Sequence, residues 1–120
     1  MGPARPEQEM TAMTEVSTEL IVRDNPGSGS YDAVRGSRVV GRLSYEAQPG
    51  QGQAGPHFVI RSTVVDPQLR GYGIGSELIR VALDDIRAKG ATLTSYCWFV
   101  DEYIAAFPEY ADLVARRPGA

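Results

Sequence analysis

The sequence holds one cysteine, Cys97, and one histidine, His57. A single cysteine excludes an internal disulfide, and the two together exclude a zinc site built on Cys/His spacing. No apolar run approaches the roughly 18 residues that a membrane-spanning helix needs. An excess of basic residues is also missing. Twelve Lys and Arg stand against 15 Asp and Glu, a net charge of -3, which argues against a nucleic-acid surface. A free cysteine without a signal peptide fits a reducing cytoplasm, so a cytoplasmic location is expected, with no membrane and no nucleic-acid partner.

What is present suffices for one domain. A chain of 120 residues buries a core without disulfide or metal. Residues 1–17 are polar, contain Pro3 and Pro6 and show no periodicity, so a disordered tail is expected there. The domain should cover residues 18–115, and residues 116–120 should fray. Glu19 to Arg23 reads as a first strand. Tyr31 to Val34 and Arg38 to Tyr45 read as a hairpin around Gly36. Val39, Gly41, Leu43 and Tyr45 should alternate with Val40, Arg42 and Ser44. Gln48 to Pro56 reads as a flexible loop. His57 to Val65 is the next strand, with Phe58, Ile60, Ser62 and Val64 expected on one face.

The strand runs into Asp66-Pro67-Gln68-Leu69-Arg70-Gly71-Tyr72-Gly73-Ile74-Gly75-Ser76. An apolar stripe follows, Ile74, Leu78, Ile79, Ala82, Leu83 and Ile86, and predicts a helix over 72–89 closed by Gly90. The stretch is therefore a strand, a glycine-bearing turn and a helix start. Glycines let a backbone turn sharply and approach a ligand closely. A helix start leaves N–H groups unpaired and carries partial positive charge. Together they suit a phosphate or pyrophosphate. The spacing is not the Gly-x-Gly-x-x-Gly of a dinucleotide fold, and Glu77 lies at the wrong distance for a ribose-binding acid. The Gly-Lys-Ser/Thr of a P-loop is absent. A plain turn needs fewer glycines. Ala91 to Cys97 is β-rich and reads as a strand, parallel to the one before the helix through a right-handed crossover. Val100 to Phe107 reads as a short helix with Val100, Tyr103, Ile104 and Phe107 inward, and a last helical turn runs from Pro108 to Val114.

The run Arg70-Gly71-Tyr72-Gly73-Ile74-Gly75 resembles the (Gln/Arg)-x-x-Gly-x-(Gly/Ala) signature of the GNAT superfamily of N-acetyltransferases. Cys97-Trp98-Phe99-Val100, Tyr103-Ile104 and Pro108-Glu109-Tyr110 are similar to a subgroup of short GNAT proteins with a Cys near the end of the fifth strand. The resemblance covers roughly Leu20 to Val114. It implies an α/β (α+β) class and a truncated GNAT fold. That fold is a mixed, mostly antiparallel sheet with a parallel strand-helix-strand crossover and helices packed on it. Too few residues separate the first two strands to hold the first helices of longer members. The resemblance also implies acetyl-CoA as cosubstrate, no metal, and a small-molecule or peptide amine as acceptor. Val64 and Val65 would lie along the cofactor arm, and Arg70, Gly71, Tyr72, Gly73, Ile74, Gly75 and Ser76 would hold the pyrophosphate.

Acetyl transfer to an amine needs a held thioester, a deprotonated amine and a protonated leaving thiolate. The subgroup usually carries His and Glu where this chain has Ser62 and Val64, and often a His where it has Phe107. Those base positions are empty of bases here, and Trp98 stands where the subgroup often has Pro. Glu46, Asp101 and Glu102 are the remaining carboxylates to check. Cys97 has two readings. It is a nucleophile at a helix start, where thiols can become reactive, or a small buried hydrophobe. Tyr103, one helical turn on, is either the acid that protonates the thiolate of CoA or a core-edge tyrosine. His57 begins its strand while Cys97 ends the neighbouring one, an offset of roughly 20 Å, so the two should not meet. The expected function is an acetyl-CoA-dependent N-acetyltransferase on an unidentified amine, as a monomer or weak dimer. The alternative is a CoA or acyl-CoA binding protein with little turnover.

Overall fold

A computed structural model describes residues 19–50 and 55–115. The expected tail over 1–17, the centre of the Gln48 to Pro56 loop and the expected frayed end over 116–120 lie outside those residues. Five strands form one sheet in the order β1 (Leu20–Asn25), β2 (Ser30–Arg35), β3 (Arg38–Gln48), β4 (His57–Val65) and β5 (Thr92–Ser95). The first four pair antiparallel, and β5 joins β4 in parallel. Helix α1 (Ile74–Ala88) makes the crossover between them, and α2 (Trp98–Ala106) follows β5. The tight turn Pro26–Gly29 joins β1 to β2 with no room for a helix, as expected. Among the described residues no helix is long and apolar enough to cross a membrane.

Helix α1 is positioned by its stripe. Ile74, Leu78, Ile79, Ala82, Leu83 and Ile86 are all buried against Tyr31, Leu43, Tyr45, Phe58, Ile60 and Leu93 of the sheet. Each fully buried Leu or Ile is worth about 1.5–3 kcal/mol relative to exposure, so this stripe anchors the turn that precedes it. The helix ends in a Schellman motif. Gly90 N–H donates to Arg87 O and Ala91 N–H to Ile86 O, both at 3.0 Å. Lys89, at the same end, binds Asp24 and Asp85 at 2.7 Å each, and the Tyr45 and Tyr31 hydroxyls donate to those two carboxylates at 2.6 Å. The helix end is thus tied to β1, β2 and β3.

Two bulges break the expected alternation. Ser44 pairs with Ser62 but Tyr45 pairs with Ile60, so Arg61 is an extra residue in β4. The face then switches. Phe58 and Ile60 point to the core, but beyond Arg61 it is Thr63 and Val65 that face the helices, while Ser62 and Val64 turn outward. The expectation that Phe58, Ile60, Ser62 and Val64 share a face fails, because one inserted residue inverts a period of two. A second bulge, at Val40, buries Val40 and Gly41 in succession and leaves Val39 exposed.

The element ends also differ from expectation. Strand β5 stops at Ser95, not Cys97, and α2 starts at Trp98, two residues early. Phe107 is exposed, though its ring stacks on Tyr103 at 4.6 Å. A 3₁₀ segment, Pro108–Leu113, brings the chain back to the outer edge of β5, where Ala115 N–H donates to Leu93 O at 2.8 Å. That edge strand is thereby covered.

Candidate functional site

Strands β4 and β5 part company halfway along. They pair from His57 and Thr92 to Ile60 and Ser95, and the last bond is Tyr96 N–H to Ile60 O at 2.9 Å. Beyond that point β4 runs on to Val65 with only β3 beside it. Two features open the gap. The bulge at Arg61 bends β4. On the other side the Ser95 hydroxyl turns β5 away, accepting from Cys97 N–H at 3.2 Å and donating to Cys97 O at 3.1 Å.

The gap leaves backbone groups without a partner among the described residues. Asp66 N–H donates to Val40 O at 2.8 Å. In an antiparallel strand successive peptide groups point to opposite sides. The Val64 peptide group therefore faces β3, and those of Thr63 and Val65 face the gap. The resemblance puts Val65 along the cofactor arm, and the sequence alone does not single out Thr63. Its only early signal was the parity of the strand, which the bulge conceals.

A cleft of about 640 Å³ fills the gap, lined by Thr63, Val64, Val65, Leu69, Arg70, Gly71, Gly73, Ile74, Gly75, Ser76, Trp98 and Phe99. Eight of the nine residues expected along a cofactor are here. Tyr72 is not among them, and its ring is 73% exposed. The helix begins at Ile74 rather than Tyr72, because Gly73 takes φ 81 as its N-cap and offers no side-chain cap. The N–H groups of Ile74, Gly75 and Ser76 are thus left without intrahelical or side-chain partners, at the positive end of the α1 dipole. Gly71 also takes a left-handed φ, 88. A Cβ at either glycine would meet no protein atom within 4 Å, so both are required by backbone conformation and both leave the loop surface bare. Gly75 serves otherwise. A Cβ there would lie 2.5 Å from the Phe99 ring, so this glycine lets α2 close down on α1.

The cleft wall opposite the glycines is aromatic, with Trp98 74% exposed and Phe99 partly so. Arg70 lines the cleft, and its guanidinium has no hydrogen bond to any described residue. Among the described residues no carboxylate or imidazole lines this cleft. Glu46 is paired with Arg61 at 3.1 Å on the outer sheet face, and Asp101 and Glu102 are exposed on α2. His57 lies at the far end of β4, its ring nitrogens against the Thr92 and Thr94 hydroxyls at 2.7 and 2.9 Å. It is kept from Cys97, as expected.

Cys97 is buried at 7% exposure, behind the cleft wall, and its thiol donates to Thr63 Oγ1 at 3.4 Å. Tyr103 does not line the cleft. It packs between Phe107 and Tyr110. Burial is the main influence raising its pKa; Arg80 opposes it and Asp84, Glu109 and Glu77 add to it. A second cleft, about 440 Å³, lies on the outer face of the sheet, lined by Val39, Val40, Gly41, Arg42, Ser44, Val64 and Asp66. Val64 belongs to both. Among the described residues no group of three His, Cys, Asp or Glu is placed to hold a metal ion.

The profile of one family, GCN5-related N-acetyl-transferase, matches residues 30–113. Among curated proteins no sequence matches. Among solved structures, Naa50 of Arabidopsis thaliana, in complex with the bisubstrate analogue CoA-Ac-MVNAL, is 17% identical. The match covers 87% of this chain and 76% of that one, with a TM-score of 0.52. The ribosomal-protein-alanine N-acetyltransferase of Brucella melitensis biovar Abortus 2308 is 19% identical over 73% of this chain and 62% of its own, with a TM-score of 0.51. An integron cassette protein from the mobile metagenome of V. cholerae is 16% identical over 76% of this chain and 57% of its own, with a TM-score of 0.50. The chain thus spans about three fifths of the length of the last two. At these identities the likeness is one of fold, and that fold is the mixed five-stranded sheet with a parallel crossover described above.

Proposed function

Because this chain belongs to the GCN5-related N-acetyltransferase family, we propose that it transfers the acetyl group of acetyl-CoA to an amine on a small molecule or peptide. The single observation that carries the reading is the gap between β4 and β5, which joins an unpaired strand edge to an unpaired helix start in one cleft. The N–H groups of Ile74, Gly75 and Ser76 suit a pyrophosphate, and the Arg70 guanidinium adds a positive charge beside them. The free peptide groups of Thr63 and Val65 suit an extended amide-bearing arm, which they would pair as a β-strand pairs. Trp98 and Phe99 wall the arm from water. All these groups fit acetyl-CoA.

Acetyl-CoA, when bound, supplies an activated acetyl group. The chain's own part is to hold and orient. The Val65 N–H, aimed into the gap, is a donor for a carbonyl oxygen that gains charge. With no carboxylate or imidazole on the cleft among the described residues, the acceptor amine enters already deprotonated; its nitrogen attacks the acetyl carbon, the C–S bond breaks, and the CoA thiolate leaves and takes the proton that the nitrogen sheds. Cys97 and Tyr103, the two catalytic candidates, take supporting roles in this route. Cys97 fixes Thr63 from behind, and Tyr103 props Phe107 and Tyr110.

The test is calorimetry with acetyl-CoA and with CoA, followed by a thiol-release assay over an amine panel. Binding in the micromolar range with amine-dependent thiol release supports the reading. Binding without release from any amine would leave a CoA-binding protein, and no binding would remove the assignment of the cleft.

A further inference from the structure

The outer-face cleft contains a guanidinium that is held with more care than a surface ion pair needs. Arg42 of β3 sits opposite Asp32 of β2 in register. Asp32 is 3% exposed, and it accepts Arg42 Nε at 2.9 Å and Nη2 at 3.3 Å. Ser30, fully buried, donates its hydroxyl to Asp32 at 2.8 Å, and Asn25 donates its amide at 2.9 Å. Burial alone would raise the Asp32 carboxyl, and the bonds from Arg42, Asn25 and Ser30 more than offset it, so it stays ionised. One edge of the Arg42 fork is thus locked from below by a buried, supported carboxylate.

A guanidinium has two such edges. Asp32 takes the edge formed by Nε and Nη2. The edge formed by Nη1 and the second Nη2 hydrogen has no partner among the described residues. Asp66, the other charged group lining this cleft, does not quench it, since Asp66 is held by Arg38 and by Gln68 N–H at 3.0 Å. Apart from Ser44 the rest of the cleft around Arg42 is apolar, with Val39, Val40 and Val64, and Val64 connects it to the first cleft.

Resting on the acetyl-transfer reading for its context, we infer that Arg42 determines acceptor specificity by taking a carboxylate of the amine-bearing substrate. A planar carboxylate matches the free edge of the fork in two parallel bonds, which a point cation or a neutral amide cannot reproduce. The acceptors are therefore amines that also carry a carboxylate, as amino acids and short peptides with a free C-terminus do. The valines beside Arg42 favour an apolar side chain on them.

The experiment uses a panel of apolar dipeptides and the same dipeptides as C-terminal amides. Two readouts are taken: kcat/KM in the thiol-release assay, and NMR shifts of the Arg42 Nε and Ser44 amide signals without acetyl-CoA. The free acids should be preferred by about tenfold or more and should shift both signals, while the amides should shift neither. Arg42→Gln leaves a buried carboxylate alone, so it is also made together with Asp32→Asn, which removes that charge. Both variants should lose the preference yet bind acetyl-CoA as the wild type does, and Arg42→Lys should restore only part of it. Equal use and equal binding of acids and amides, or a preference that survives in the double variant, would overturn the inference. If no amine is acetylated but the acids still shift Arg42, the acetyl-transfer reading fails and the carboxylate site stands.

Discussion

The thiol of Cys97 donates to the hydroxyl of Thr63 at 3.4 Å, across the point where β4 and β5 separate. Thr63 lines the cleft and Cys97 does not. The sulfur that the sequence marked as a possible nucleophile therefore reaches the cleft only through a threonine.

Cys97→Ala and Tyr103→Phe should each keep kcat/KM within about threefold, since neither side chain touches the reacting groups in direct attack. Brief exposure to acetyl-CoA without acceptor should leave the protein mass unchanged. One acetyl group on Cys97, formed within a turnover time, would reinstate a covalent route.

With no protein base on the cleft among the described residues, the fraction of neutral acceptor governs the rate. The logarithm of kcat/KM should climb with slope one up to the pKa of the acceptor amine, about 8 for the α-amine of a dipeptide and about 10 for an alkylamine. A pH–rate profile that levels off well below the pKa of the acceptor used would reveal a base the geometry does not show.

The three glycines of the loop should separate in stability and binding assays. Gly75→Ala forces the Phe99 ring to move and should cost about 1–3 kcal/mol, against the usual gain of Ala over Gly in a helix. Gly73→Asn keeps the left-handed backbone, which Asn tolerates, so the fold should survive in a thermal melt. Its side chain would cover the bare loop surface and should weaken acetyl-CoA at least about tenfold, roughly 1.4 kcal/mol. Equal affinities for wild type and Gly73→Asn would show that nothing approaches this loop closely.

Asp32 makes stability depend on acid. Its folded pKa lies below the ordinary carboxylate value because the bonds from Arg42, Asn25 and Ser30 outweigh burial. A lowered pKa contributes stability that is present above the unfolded value, near 3.9, and lost as pH falls through the folded value. The loss should therefore lie below about pH 4. Asp32→Asn should be less stable at pH 7, and the gap to wild type should narrow as pH falls below about 4 in denaturant melts followed by circular dichroism. A gap that stays constant down to pH 2 would show that Asp32 is not charged in the fold.

The path from sequence to site was readable wherever a local rule acts alone. The stripe from Ile74 to Ile86 set α1 and its buried face. Gly71 and Gly73 marked the turn, and strand, helix and strand in succession marked the parallel crossover. The family signature marked one end of β4. Face assignments failed at Arg61 and Val40, because a bulge inserts one residue and nothing in the residue types announces it. Gly75 reads with its neighbours as part of a ligand loop, but the group it makes room for is a ring 24 residues away in the chain.

By itself the sequence determined the elements, their order, and the backbone chemistry of the loop, since periodicity, glycine conformation and helix termini are properties of neighbouring residues. The tertiary structure decided which groups meet. It put Thr63 and Val65 on the cleft, set Cys97 behind it, moved Tyr103 away from it and stacked Asp32 beneath Arg42. Those outcomes depend on register, on where two strands stop pairing and on how α2 seats against α1. Register and seating are set by contacts between residues distant in the chain, which no local pattern encodes.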